Sequence, residues 1–161
     1  MIEDSREVVR VIVDRTCPAR FPVWVGEVFL PELQIVGPAE YDLMQIELWR
    51  HECQKPSDKK APRLTKGKCS VLALYKQDEE EGSLKNCLNL RDGEEIVKKQ
   101  RITFKKAFGR KGVILLKTKV RNAKNGKFYI PYVCISGYEL AIRWLCVDDR
   151  CDKDILVGHL G

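Results

Sequence analysis

Apolar residues in the first fifty positions recur in short β-branched bursts rather than at helical spacing. Val8-Val9-Arg10-Val11-Ile12-Val13 ends at Asp14, and Val23-Trp24-Val25 and Val28-Phe29-Leu30 sit among Pro22, Gly26 and Pro31. Prolines at 18, 22, 31 and 38 exclude a long helix here, because each removes a backbone donor and crowds the preceding turn. From Tyr41 to Trp49, Met44, Ile46 and Leu48 alternate with Gln45, Glu47 and Trp49, the two-residue period of a strand. Residues 54–68 are almost devoid of apolar side chains and contain two prolines and a glycine, which predicts a flexible basic surface loop. Cys69 to Tyr75 is an apolar run whose period does not separate helix from strand, and Asp78 to Gly82 reads as a charged break.

The period changes after residue 92. Ile96, Val97, Phe104, Ala107 and Phe108 fall within about 120° on a 3.6-residue wheel, with Ile102 off the stripe. Asp92 is placed to cap the start, Glu94 and Glu95 suit the first turn, and Gly109 suits the end. These signals predict one main amphipathic helix over about 93–108. Three strands are predicted after it. In Val113–Arg121, Ile114, Leu116, Thr118 and Val120 share one face, and Lys117, Lys119 and Arg121 share the other. Asn125-Gly126 tolerates the positive φ of a tight turn into Phe128–Ile135, and Gly137 turns the chain into Tyr138–Val147. Pro131 strains this meander: it lacks a ladder donor, so a bulge or an edge position has to accommodate it. The tail, 148–161, is acidic and then apolar, with weak signals. The fold class that follows is α+β, an antiparallel sheet with the helix packed on it, in one domain spanning 1–161.

The composition supports a globular core. The chain has 161 residues, 44% hydrophobic and 32% charged, which excludes a wholly disordered, collagen-like or disulfide-miniprotein chain. No apolar run is long enough for a membrane span, and the first residues lack the pattern of a signal peptide. Seven cysteines, an odd set spread along the chain, are expected to be reduced and metal-free in a cytoplasmic protein.

The segments Leu88-Asn89-Leu90-Arg91-Asp92, Glu94-Glu95-Ile96, Lys98-Lys99 and Ile102-Thr103-Phe104 form a pattern with Val120-Arg121, Ile130-Pro131-Tyr132 and Trp144-Leu145. Together they resemble the C-terminal part of a loose group of small uncharacterised bacterial proteins, in which a helix precedes a Trp- and Tyr-bearing hairpin. Val13-Asp14-Arg15-Thr16 is also similar, whereas Lys117, Lys119, Cys146 and Cys151 depart from the pattern. The resemblance implies a bacterial, cytosolic α+β domain and transfers no functional residue.

Charge placement adds the strongest chemical signal. Between Lys98 and Lys127 there are twelve Lys or Arg and no acid, whereas the other 131 residues hold 17 basic and 23 acidic side chains. Lys98, Arg101 and Lys105 share a predicted helix face, and Lys117, Lys119 and Arg121 a predicted strand face. If the two faces join, they form a basic plate able to follow a phosphate backbone, with Tyr129 and Tyr132 near enough to stack on bases. Lys55, Lys59, Lys60, Arg63, Lys66 and Lys68 could add a basic arm. The expected function is a non-catalytic binding module for nucleic acid or another polyanion. The alternatives are a protein–protein interaction or regulatory module that meets an acidic partner, and a small cysteine- or metal-dependent hydrolase.

Metal and catalytic signals are weak. His51-Glu52-Cys53 with Cys69, or Cys146 with Cys151, lack the second tight pair of a structural zinc site. Asp148, Asp149, Asp152 and Asp154 lack the glycine and distal glutamate of an EF-hand loop. Lys66-Gly67-Lys68-Cys69-Ser70 lacks the first glycine and the hydroxyl of a P-loop. His51 and His159 are the sole histidines, and no Cys–His pair is singled out by spacing. No cofactor, metal or catalytic residue is therefore expected.

Overall fold

The computed structural model describes residues 8–50, 70–149 and 154–160. The predicted loop at 54–68 lies outside the described residues. Short strands come first, as the β-branched bursts predict: β1 (Arg10–Ile12), β2 (Val25–Val28), β3 (Glu40–Asp42) and β4 (Glu47–Trp49). Tyr41–Trp49 is therefore not one strand. Asp42 caps a 3-10 turn over Leu43–Gln45 by accepting from the Met44 N–H, and the turn sends β3 and β4 into different sheets.

Among the described residues three α-helices follow where one was expected. α1 (Val71–Glu81) begins at Ser70, whose hydroxyl accepts from the Ala73 N–H, and ends at Gly82 in the left-handed conformation. The supposed charged break is its last turn. Val71, Leu74, Tyr75 and Asp78 occupy its buried face at helical spacing. The predicted helix 93–108 divides into α2 (Leu90–Ile96) and α3 (Arg101–Phe108). Asn89, not Asp92, caps α2; Asp92 is the third helical residue and closes a capping box with it. No residue between Ile96 and Phe104 is buried, so core packing does not hold the intervening turn, and Lys99 Nζ donates to the Arg10 carbonyl at 2.6 Å. The stripe itself is as read: Ile96, Phe104 and Phe108 are buried, Val97 and Ala107 pack against them, and Ile102 is exposed.

The main sheet is mostly antiparallel. Its spine is β7 (Phe128–Ser136), which pairs along one edge with β8 (Glu139–Cys146) through the turn at Gly137. Along the other edge lie β5 (Gly112–Ile114) and β6 (Val120–Asn122), end to end. Ile114 faces Tyr132 and Val120 faces Tyr129, so residues 115–119 bulge opposite Ile130 and Pro131. This accommodates the proline. The Pro131 carbonyl accepts from the Leu115 N–H, so the missing Pro131 donor points at the bulge, and pairing with β8 continues without a register shift. The predicted strand Val113–Arg121 is thus interrupted in its middle. β9 (Ile155–His159) pairs parallel with β5 and antiparallel with β4, which makes the weakly patterned tail an internal strand. β2 pairs with β6, and β1 with β3 in a separate ribbon.

Both sheet faces are covered. Val71, Leu74 and Tyr75 of α1 pack on Ile114, Leu116, Ile130 and Val157. On the opposite face, Ile96, Phe104 and Phe108 pack with Val11, Val13, Val113 and Val133. Gly93 lets α2 close onto the sheet, because a Cβ there would run into the Leu115 side chain. Among the described residues no helix is long and apolar enough to cross a membrane.

Candidate anion-binding groove and buried polar clusters

α3 turns its apolar stripe to the sheet, so its opposite side carries charge. Arg101 and Lys105 project there, and Arg110 follows the Gly109 terminus. With Ile102, Ile135 and Gly137 these three cations line a groove of about 450 Å³ between α3 and the tip of the β7–β8 hairpin. The Arg101 guanidinium lies over the Tyr138 ring, 5.7 Å from its centroid. Tyr138 and Ile102 are strongly exposed. Among the described residues, Arg101, Lys105 and Arg110 make no ion pair. A second groove continues past Arg110, Ile135 and Gly137 to Tyr132 and Arg143, with Asp154 on its wall.

The predicted plate is only partly assembled. Arg101 and Lys105 meet in the first groove and Tyr132 lines the second. Lys98 lies beyond the end of α2 and pairs with Glu95 at 2.9 Å. Lys117 does not share their surface: the bulge carries it inward, it is 4% exposed, and burial pulls its amine below the ordinary lysine range. Lys119 lies over the rings of Tyr75, Phe29 and Phe128, its Nζ 4.7, 5.0 and 5.3 Å from their centroids, beside α1. Arg121 faces Glu27 across the β2–β6 pair, at 3.7 Å. Tyr129 meets Trp24 edge-on at 5.3 Å and accepts from the Asn125 amide at 3.1 Å. Sequence spacing missed Arg110, because it lies just outside the helix whose face was counted.

Two buried polar clusters were also missed. The first joins the N-terminal segment to α2. Asp92 Oδ1 accepts from Arg15 Nη2 and from the Tyr41 hydroxyl, each at 2.8 Å, while Oδ2 accepts from the Asn89 N–H at 2.9 Å. Asn89 Nδ2 donates to the carbonyl of Leu33 at 3.0 Å, and the Thr118 hydroxyl accepts from the Leu90 N–H at 2.7 Å. Burial and the Asp92 carboxylate push the Tyr41 phenol well above its ordinary value. Every member has an oriented partner, so this cluster fixes the start of α2.

The second cluster joins the end of α1 and the turn after it to the distant β9. Cys87 and His159 are bridged across the sheet beyond the end of β5, and Asp78 reaches them from the last turn of α1. Cys87 Sγ lies 3.4 Å from His159 Nε2 and 3.2 Å from Asp78 Oδ2, and Nε2 lies 3.0 Å from Oδ2. Asp78 and His159 are fully buried and Cys87 nearly so. Trp49 stacks on the imidazole, ring centroids 3.7 Å apart. Burial, then Asp78, pushes the Cys87 thiol far above its ordinary value. This is not a nucleophile–base–orienter relay. Sulfur and carboxylate meet the same ring nitrogen, so the imidazole cannot pass a proton from one to the other.

The signal for the second cluster was Asp78 itself, an acid at the fourth position of the apolar spacing Val71, Leu74, Tyr75. No protein-family model, curated protein or solved structure matches the chain, so its function has to be read from these sites.

Proposed function

We propose that the protein is a non-catalytic binding module for nucleic acid, and that the strand lies in the groove between α3 and the β7–β8 hairpin. One observation carries this reading. Arg101, Lys105 and Arg110 line one groove without an ion pair among the described residues, beside an exposed aromatic ring. Three unneutralised cations in a trough favour a polyanion through counterion release, and Tyr138 and Tyr132 offer faces on which bases stack. Single strands suit the arrangement better than duplex, because α3 presents its flank and not base-reading Arg and Asn side chains at a helix start. The setting that goes with this reading is the cytoplasm.

The test is binding of single-stranded and duplex oligonucleotides of mixed sequence across a salt series. Three phosphate contacts imply a slope of about −2 in log affinity against log salt for a single strand. Replacing Arg101, Lys105 and Arg110 together with Gln should flatten the slope to near zero, and sequence preference should be slight. Absence of binding to either nucleic acid at low salt, with an acidic polypeptide bound instead, would replace this reading with that of a protein-interaction module.

A further inference from the structure

Hydrogen bonding fills at most two of the three edges of the Asp78–Cys87–His159 triangle. Its three edges, 3.0, 3.2 and 3.4 Å, bring one sulfur, one ring nitrogen and one carboxylate oxygen into mutual contact. A proton bridges two atoms. If Nε2 carries its proton it donates to Oδ2, and the Sγ–Nε2 edge then has no lone pair on nitrogen to accept the thiol. If Nε2 is the bare nitrogen it can accept the thiol, and the Nε2–Oδ2 edge then requires a protonated carboxyl, which leaves a fully buried Asp78 neutral. With an ionised carboxylate, two of the three edges at most are hydrogen bonds: with Nε2 protonated, N–H and S–H both donate to Oδ2 and the Sγ–Nε2 edge is a bare contact, and with Nε2 bare the Nε2–Oδ2 edge is a contact between acceptors.

A metal ion resolves all three edges together. Bond lengths of about 2.3 Å to sulfur and about 2.0–2.2 Å to nitrogen and oxygen, at tetrahedral angles, place such ligand atoms about 3.4–3.6 Å apart. The observed edges fall short of that spacing by no more than a few tenths of an ångström. The charges also close: a thiolate, a carboxylate and a neutral imidazole around a divalent ion give a neutral cluster, as a fully buried site demands. The Ser83 carbonyl oxygen, 3.7 Å from Sγ, lies beside the cluster. Trp49 covers the imidazole and holds its plane.

We propose that Asp78, Cys87 and His159 form a structural zinc site that ties the end of α1 to the end of β9. The mixed sulfur, nitrogen and oxygen set suits zinc among biological divalent ions and is too soft for magnesium or calcium. Because the ligands are buried and His159 comes from the far end of the chain, the ion enters as the chain folds and leaves only when it opens. The site does not depend on the groove reading, since its residues lie apart from those lining that groove.

The test is to unfold the full chain in chelator and refold it with Co²⁺ or with Zn²⁺. The expected result is one retained ion per chain after desalting. The cobalt form should show a thiolate charge-transfer band in the near ultraviolet and the strong visible bands of a four-coordinate ion. Cys87→Ser should remove the charge-transfer band, whereas Cys17→Ser and Cys146→Ser should leave it. X-ray absorption of the wild-type zinc form should find one sulfur at about 2.3 Å with lighter ligands at about 2.0–2.2 Å, a result that stands even if Cys87→Ser fails to fold. A refolded wild type that retains neither ion overturns the proposal. So does a sulfur shell of two or more, or none, or a charge-transfer band that survives in Cys87→Ser. Oligonucleotide binding by the same samples, measured in parallel, separates failure of the metal site from failure of the groove.

Discussion

The cations of α3 and those of the 115–119 bulge are close in sequence and alike in type, yet they meet opposite fates. Arg101 and Lys105 stay in solvent because α3 lies at the outside of a layer with one face free. Lys117 and Lys119 follow a strand covered on both faces, so a side chain pointing away from one core points into another. Lys117 is buried and Lys119 is surrounded by three rings. Alternation tells which side chains share a face. It does not tell whether a face is covered, because that depends on a second layer supplied by distant residues.

The largest expected effect tests that contrast within one helix. Phe104 is fully buried, whereas Ile102, two residues earlier, is 62% exposed. Phe104→Ala should cost about 3–5 kcal/mol and Ile102→Ala no more than about 0.5. Chemical denaturation of both variants measures the difference. Equal midpoints would mean that α3 does not hold its apolar stripe against the sheet.

Next comes the covered polar cluster. Asp92→Ala removes the partner of Arg15 and Tyr41 and the capping box of α2, and strands a guanidinium that is mostly buried. A cost of about 3 kcal/mol is expected, near the lower end for breaking a buried pair because Arg15 keeps some exposure. The conservative Asp92→Asn should recover part of it, since the amide oxygen can still accept from the Asn89 N–H. A loss of only a few tenths in Asp92→Ala would show the cluster to be loosely held.

The first fifty residues were legible as strands because β-branched bursts and prolines act locally, and the Phe104–Phe108 stripe because its period is helical. What escaped was set by partners far along the chain. The tail became β9 because β4 and β5 flank it, although Ile155–His159 is too short to announce a strand alone. Cys69–Tyr75 is too short an apolar run to show a helical period and Asp78–Gly82 reads alone as a charged break, so the local signal that joins them into α1 is the N-cap at Ser70 with Gly82 at its end. Asp78, Cys87 and His159 become neighbours only through the fold, so no spacing rule unites them. The partial plate failed at residues 115–119, where Pro131 gave the warning but not the side on which the bulge would form.

Two covered groups should titrate with opposite signs. Tyr41 has a phenol pKa raised by burial and by Asp92, so the folded state keeps a proton that the unfolded chain releases near pH 10.0. Its contribution is complete below that pH and is lost as pH rises further. Lys117 has a lowered pKa, so the folded state sheds a proton that the unfolded chain holds up to 10.5, and stability rises with pH toward that value. Tyr41→Phe should cost about 1–3 kcal/mol at neutral pH and fall less steeply than wild type above pH 10. Lys117→Met should be neutral or stabilising by about 1–3 kcal/mol at pH 7, with the alkaline rise removed. Denaturation curves at pH 7 and in the alkaline range, compared as variant minus wild type, check both signs.

The smallest effect on stability is the sharpest test of the comparison, because it is read in binding. Arg101→Gln with Lys105→Gln removes two exposed charges and should leave stability within about 0.5 kcal/mol. It should flatten the salt dependence of single-strand binding by about 1.4 units, at about 0.7 per phosphate contact. Lys117→Met with Lys119→Gln removes the same formal charge from the covered strand. It should leave the salt slope unchanged, because Lys117 is buried and the Lys119 ammonium lies over three rings beside α1, away from the groove. Its effect should fall on stability instead, where the Lys119 contacts with Tyr75, Phe29 and Phe128 each contribute a fraction of about 1 kcal/mol at a half-exposed site. If both pairs flatten the slope equally, the strand cations reach the ligand and the division between covered and uncovered charge is wrong. If only the helix pair does, location rather than charge count sets what this protein binds.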